Sequence, residues 1–202
     1  MDMTSSKRKL EKSLLTTISN KVISPLARRD LDPFILTYSA FGTSLLTACL
    51  YALAARSKIL VVLGGVTLLV AGFLDAIDGE LARRTGKVSE RGSFLDSVFD
   101  KLGEAVIAVG MALSGIASSI VVLVFIVCSL LVSYVRAKAE QLGVEIAGIG
   151  VAERAERIII LAVASFIYPF WSESLEYGLL LVAALSIITI VQRVVYAYNK
   201  LK

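Results

Sequence analysis

From residue 34 onward the chain alternates long apolar runs with short polar ones. Six runs stand out, at about 34–54, 58–83, 92–115, 120–142, 151–170 and 177–201. A bilayer's hydrocarbon layer of about 30 Å asks for roughly 20 predominantly apolar helical residues, so each run is expected to form a membrane-spanning helix. The third carries Gly103, Ala108, Gly110 and Ala112. Small residues at such places let helices approach closely, either within one subunit or between two.

The pattern before the first run is different. Leu10, Leu14, Leu15, Ile18, Val22 and Ile23 recur at helical spacing against Lys9, Lys12, Ser13 and Lys21. This predicts an amphipathic helix over 9–26, lying on an anionic membrane surface or packed on the protein. MDMTSSKRKL has no apolar core of signal-peptide type and is expected to stay in the mature chain. The expected architecture is an all-α integral membrane protein. Residues 1–30 form a cytoplasmic, amphipathic juxtamembrane segment and residues 31–202 a six-helix transmembrane domain.

Composition agrees with this reading. Of 202 residues 56% are hydrophobic, and the mean hydropathy is +0.78, too apolar for one soluble domain of this size. Cys49 and Cys128 stand in no ligand-spaced motif and read as packing residues. With six spans, only Arg56 and Lys58 of the 21 Lys and Arg fall on one side. The bias of basic residues toward the cytoplasm then puts both termini and the loops at 84–92 and 141–152 inside.

The chemistry concentrates in one stretch, DAIDGELARRTGKVSERGSFLDSVFD, residues 75–100. On helices, Asp75 and Asp78 share a face, as do Asp96 and Asp100. Ionisable residues at a span's edge mark a functional site. The sixteen residues before Asp75 rise about 24 Å, which places the aspartates near one membrane face. Four converging carboxylates need positive charge among them. Oxygen donors without any His favour Mg²⁺, Mn²⁺ or Ca²⁺, and two such ions would hold a pyrophosphate and stabilise the charge that develops when it is split. Gly79, Ala82 and Gly92 leave room for a ligand beside the backbone, and Arg83 offers a fixed cation to a phosphate.

A second group of cations points toward the same face. Arg136 and Lys138 end the fourth run, Arg154 and Arg157 open the fifth, and Arg193 lies in the last turns of the sixth. Such a set suits a soluble substrate that already carries a phosphate. Pairing of Glu153 with Arg157, or snorkelling toward lipid phosphates, is the structural alternative.

Asp75-x-x-Asp78-Gly79-x-x-Ala82-Arg83, followed by Gly92-x-x-x-Asp96-x-x-x-Asp100, resembles the signature of the CDP-alcohol phosphotransferase family at every fixed position. The resemblance implies displacement of CMP from a CDP-linked lipid by an alcohol, with Mg²⁺ or Mn²⁺, two ions, on Asp75, Asp78, Asp96 and Asp100. It also implies Asp100 as general base, a nucleotide site at Gly79, Ala82, Arg83 and Gly92, and a homodimer. Thr37 is similar to a family threonine associated with the nucleotide; Phe34 stands where Asn is frequent.

SYVRAKAE at 133–140, the Glu-Arg pair at 153–154 and Arg193 resemble the phosphatidylinositol-phosphate synthase branch or its archaeal ether-lipid counterpart, with the order of Arg136 and Lys138 exchanged. That likeness implies CDP-diacylglycerol or CDP-archaeol as donor, and inositol phosphate as acceptor bound by Arg136, Lys138, Arg154, Arg157 and Arg193. Glycerol 3-phosphate or serine as acceptor, and a divalent-cation channel, are the alternatives. No nucleic-acid partner is expected.

Overall fold

The computed structural model describes residues 23–28 and 31–201. Most of the amphipathic helix expected over 9–26 lies outside the described residues. Its end belongs to α1, Ser24–Arg28, and Ile23 is buried beside Leu36, Ile77 and Leu81. Among the described residues all regular structure is helical.

Six longer helices follow: α2 Pro33–Ala52, α3 Lys58–Thr85, α4 Glu90–Ser114, α5 Ser119–Gln141, α6 Arg154–Ile167 and α7 Ser174–Lys200. A 3-10 turn, Ala54–Arg56, joins α2 to α3. Local chemistry sets the ends. Asp32 accepts the Phe34 amide and Pro33 opens α2, where its missing N–H costs nothing. Gly86 ends α3 at φ 67° and Ser89 caps α4 through the Gly92 amide, so the chain reverses tightly between the two acidic segments.

Helices α2, α3 and α4 form one packed group; α5, α6 and α7 form another, joined to the first by α6 on α3 and by α5 on α4. The core between them holds Tyr51, Val61, Leu68, Met111, Leu161 and Leu179. The Tyr51 hydroxyl and Ser165 share a buried hydrogen bond of 2.8 Å. Outward positions such as Leu113, Ile120, Leu123, Ile188 and Val191 are exposed, a shell of apolar surface suited to lipid rather than water.

Among the described residues four helices qualify as membrane spans by length and composition: Pro33–Ala52, Lys58–Thr85, Ser119–Gln141 and Ser174–Lys200. The two others expected from sequence fall short for separate reasons. The stretch of α4 from Glu90 to Glu104 carries Glu90, Arg91, Asp96, Asp100, Lys101 and Glu104. The 14 residues of α6 rise only about 21 Å, because residues 142–153 are drawn into an irregular segment. That segment is packed, with Val144 and Ile146 buried against Ala139 and Ala197.

The small residues of α4 serve contacts inside one subunit. A Cβ on Gly110 would lie 2.2 Å from the Ala48 carbonyl oxygen of α2, and one on Gly103 would lie 3.0 Å from Ser44 Oγ. Gly110→Ala is therefore expected to destabilise the protein by about 1–3 kcal/mol. Gly42→Ala, where nothing lies within 4 Å, should be near neutral. Thermal unfolding in detergent checks both, and equal melting temperatures would contradict the packing described.

Candidate functional site

The last turns of α3 and the first turns of α4 place the aspartates at the end of the bundle where α2 begins. Asp78 is buried, and Thr37 Oγ1 of α2 donates to its Oδ2 at 2.8 Å. Asp96 lies within electrostatic reach of Asp75, Asp78 and Asp100 and shares one cavity wall with Asp78 and another with Asp75 and Asp100. Arg154 at the start of α6 ion-pairs with Asp75 through Nη1 and with Asp100 through Nη2, and Lys101 also pairs with Asp100. Arg83 is held by Glu80, which accepts from its Nε at 3.1 Å and its Nη2 at 2.9 Å.

Two cavities open beside these carboxylates. One, of about 190 Å³, is lined by Pro33, Phe34, Thr37, Asp78, Gly79, Ala82, Arg83 and Gly92 among others. It gathers all the residues expected at a nucleotide site. Phe34 forms part of its wall, 3.8 Å from where a Cβ on Gly92 would stand. The other, of about 780 Å³, is bounded by Asp75, Asp100, Arg136, Arg154, Arg157 and Arg193. Ser93 and Asp96 line both.

The five basic residues expected at an acceptor site part ways. Arg136 is exposed and bonded to Glu140 at 2.8 Å. Arg157 is buried, donating to Glu104 at 2.6 Å and to the Ala152 carbonyl at 3.2 Å. Arg193 is buried too, and its guanidinium is spent on backbone: Nε donates to Ile149 O and Nη1 to Val132 O, both at 2.8 Å, while Nη2 lies 3.5 Å from Glu153. Lys138 is outside the cavity lining and bonds Gln141 at 3.0 Å. Residues two apart on a helix point to different sides, so Arg136 and Lys138 cannot share one pocket.

Sequence reasoning passed over Glu104 and offered Glu153 only as a partner of Arg157. Glu104 is one turn beyond Asp100 on the same face, a spacing that could have drawn notice; its partner is 53 positions away. Glu153 pairs with Arg193 and accepts the Gly148 amide at 3.0 Å rather than pairing with Arg157.

The donor set fits a hard divalent cation. Four carboxylates face two cations, Arg154 and Lys101, and the negative charge in excess is what divalent ions would neutralise. Asp100 Oδ1 is buried and has Arg154 Nη2 as its ion-pair partner, a contact that a bound ion would share or replace. Among the described residues no three carboxylates are gathered at coordinating distance; the Arg154 guanidinium lies where two of them would close.

Comparison with known proteins supports the same reading. The CDP-alcohol phosphatidyltransferase family profile matches residues 33–195. The chain is 41% identical over 196 residues to the archaetidylinositol phosphate synthase of Pyrococcus horikoshii, covering 94% of this chain and 99% of that one. Its fold is similar to the Mycobacterium tuberculosis phosphatidylinositol phosphate synthase crystallised with CDP-DAG, with a TM-score of 0.76, 26% identity and 90% and 94% of the two chains covered. The same enzyme in complex with manganese and citrate superposes with a TM-score of 0.73 at 26% identity, covering 88% and 87%.

The Arg157–Glu104 pair sets the wall between α4 and α6. Arg157→Met is expected to cost about 3–5 kcal/mol by stranding a buried carboxylate, and adding Glu104→Met should restore most of it. Unfolding curves of the single and double variants test this; a single variant as stable as the parent would contradict it.

Proposed function

Because the chain belongs to the CDP-alcohol phosphatidyltransferase family, we propose that it moves the phosphatidyl or archaetidyl group of a CDP-linked lipid to a hydroxyl of inositol phosphate, releasing CMP. The observation that carries this reading is the pair of cavities meeting at Ser93 and Asp96. One suits a nucleotide, the other a small polyol with a phosphate, and the shared wall is acidic. The names of the relatives support an inositol phosphate acceptor, and the archaeal one supports an ether-linked donor.

In the smaller cavity Gly79, Ala82 and Gly92 leave space along two helices for the cytidine diphosphate, Thr37 fixes the orientation of Asp78, and Arg83 meets a phosphate. Asp75, Asp78, Asp96 and Asp100 would hold two ions, Mg²⁺ or Mn²⁺. When bound, these supply neutralisation of the pyrophosphate charge and acidify the attacking hydroxyl. Asp100 takes the hydroxyl proton. The acceptor oxygen bonds to the lipid-side phosphorus as the bond from that phosphorus to the CMP oxygen breaks, and CMP leaves with the electron pair. Arg136 and Arg154 bind the acceptor phosphate, whereas Arg157 and Arg193, tied to Glu104 and to backbone carbonyls, hold the walls in place. Lys138 has no part in this arrangement.

All six helices from α2 to α7 cross the bilayer in this proposal, as one transmembrane domain over 31–202 with residues 1–30 as a juxtamembrane segment. The site and both termini lie on the cytoplasmic side. Support comes from the distribution of basic residues and from Lys58, which bonds the Pro169 carbonyl at the opposite end of the bundle. The homodimer implied by the family resemblance belongs to the same reading.

The test is CMP release by purified protein given a CDP-linked lipid, Mg²⁺ and, in turn, inositol phosphate, glycerol 3-phosphate, serine and free inositol. Release is expected with inositol phosphate and to fall roughly 100-fold or more in Asp100→Asn. Release with serine or free inositol at an equal rate would overturn the acceptor assignment.

A further inference from the structure

Of the four arginines that line the larger cavity, Arg154 is the one that spans two of the aspartates. Arg157 and Arg193 are buried, with side-chain exposures of 4% and 3%, and are tied to Glu104 and to backbone carbonyls. Arg136 has its own helix neighbour, Glu140, one turn on. Arg154 differs from them all. It bridges Asp75 of α3 and Asp100 of α4, and its side chain keeps 26% exposure on the lining of the cavity.

The oxygens that Arg154 engages belong to two of the four aspartates proposed to hold divalent ions. A carboxylate can serve a guanidinium and a divalent ion together only if the two positive charges tolerate close approach in a poorly hydrated place, where their repulsion is large. The exposed part of the side chain and the open side of the cavity give it somewhere to go. Arg157 and Arg193 have no such freedom, since leaving would strand Glu104 or bare carbonyls.

We infer that Arg154 is a positioning latch that a divalent ion displaces. Without the ion, its guanidinium neutralises Asp75 and Asp100 and keeps α3 and α4 together. With the ion, it swings into the larger cavity and becomes a cation for the acceptor's phosphate. Metal loading and acceptor binding are thereby coupled, and the phosphate finds its full set of cations only after the ion has arrived. The inference rests on the reading of the aspartates as metal ligands.

The test uses the full chain in detergent, with Mn²⁺ as the probe and no lipid. Arginines are labelled with phenylglyoxal with and without saturating Mn²⁺, and modification is quantified by peptide mass spectrometry, with exposed Arg56 as the internal reference. Mn²⁺ binding to the parent and to Arg154→Gln is followed by electron paramagnetic resonance of the free ion. Mn²⁺ is expected to raise Arg154 labelling several-fold relative to Arg56, and Arg154→Gln to bind Mn²⁺ roughly tenfold tighter. Labelling unmoved or lowered by Mn²⁺, or equal affinity in the two proteins, would overturn the latch while leaving the metal site standing. Absence of Mn²⁺ binding in both would remove the metal reading and the latch with it. Should Arg154→Gln fail to fold, the labelling of the parent decides.

Discussion

Mutual repulsion among four carboxylates is the constraint to which this structure answers. Asp75, Asp78, Asp96 and Asp100 sit where two apolar helices end and the chain turns back on itself, a place with less water than a free surface offers. Groups of one sign gather there only if cations, hydrogen-bond donors or bound ions compensate them. Thr37 donates to Asp78, Lys101 pairs with Asp100, and Arg154 spans Asp75 and Asp100. What is left over is negative charge that divalent ions would neutralise, and chemistry on a pyrophosphate needs just such a centre.

The scaffold keeps these groups in register from both sides. Glycines of α4 let it lie against α2 at backbone distance, which brings the start of α2, with Phe34 and Thr37, beside the acidic ends. From the other side, α6 begins close to the aspartates because the segment over 142–153 folds back instead of extending the helix. Thr189 of α7 accepts the Val151 and Ala152 amides at 3.2 and 3.0 Å, and Arg193 holds the Ile149 carbonyl. Buried polar side chains of α7 thus act on the site through the segment they restrain. A transferase of this family has to bring a lipid-linked nucleotide and a water-soluble acceptor together, and two cavities sharing Asp96 are what the proposed function assigns to that meeting.

Much of this was legible in the sequence because it rests on local pattern. Helix boundaries fall within a few residues of those expected from the apolar runs, since capping residues such as Asp32, Ser57 and Ser89 and the turn glycines Gly86 and Gly115 mark them directly. The residues expected at a nucleotide site line one cavity because α3 and α4 are adjacent in the chain and Thr37 of α2 reaches Asp78. Partnerships across distant helices were not legible. Arg157 with Glu104, Arg193 with Ile149 and Val132, and Arg154 with two aspartates are set by how α6 and α7 pack, and no spacing rule encodes that. Lys138 shows the opposite failure: charge at the right end of a helix says nothing of the side it faces. The shortness of α6 was hidden as well, because residues 151–153 and 168–170 continue the apolar run while their backbone leaves the helix.

The central claim is that these aspartates jointly hold divalent ions at the meeting point of the two cavities. Anomalous diffraction from crystals grown with Mn²⁺ tests it most directly. The account predicts peaks among Asp75, Asp78, Asp96 and Asp100, between the Thr37 side and the Arg154 side. Peaks elsewhere, or saturating Mn²⁺ with none among these four side chains, would contradict it.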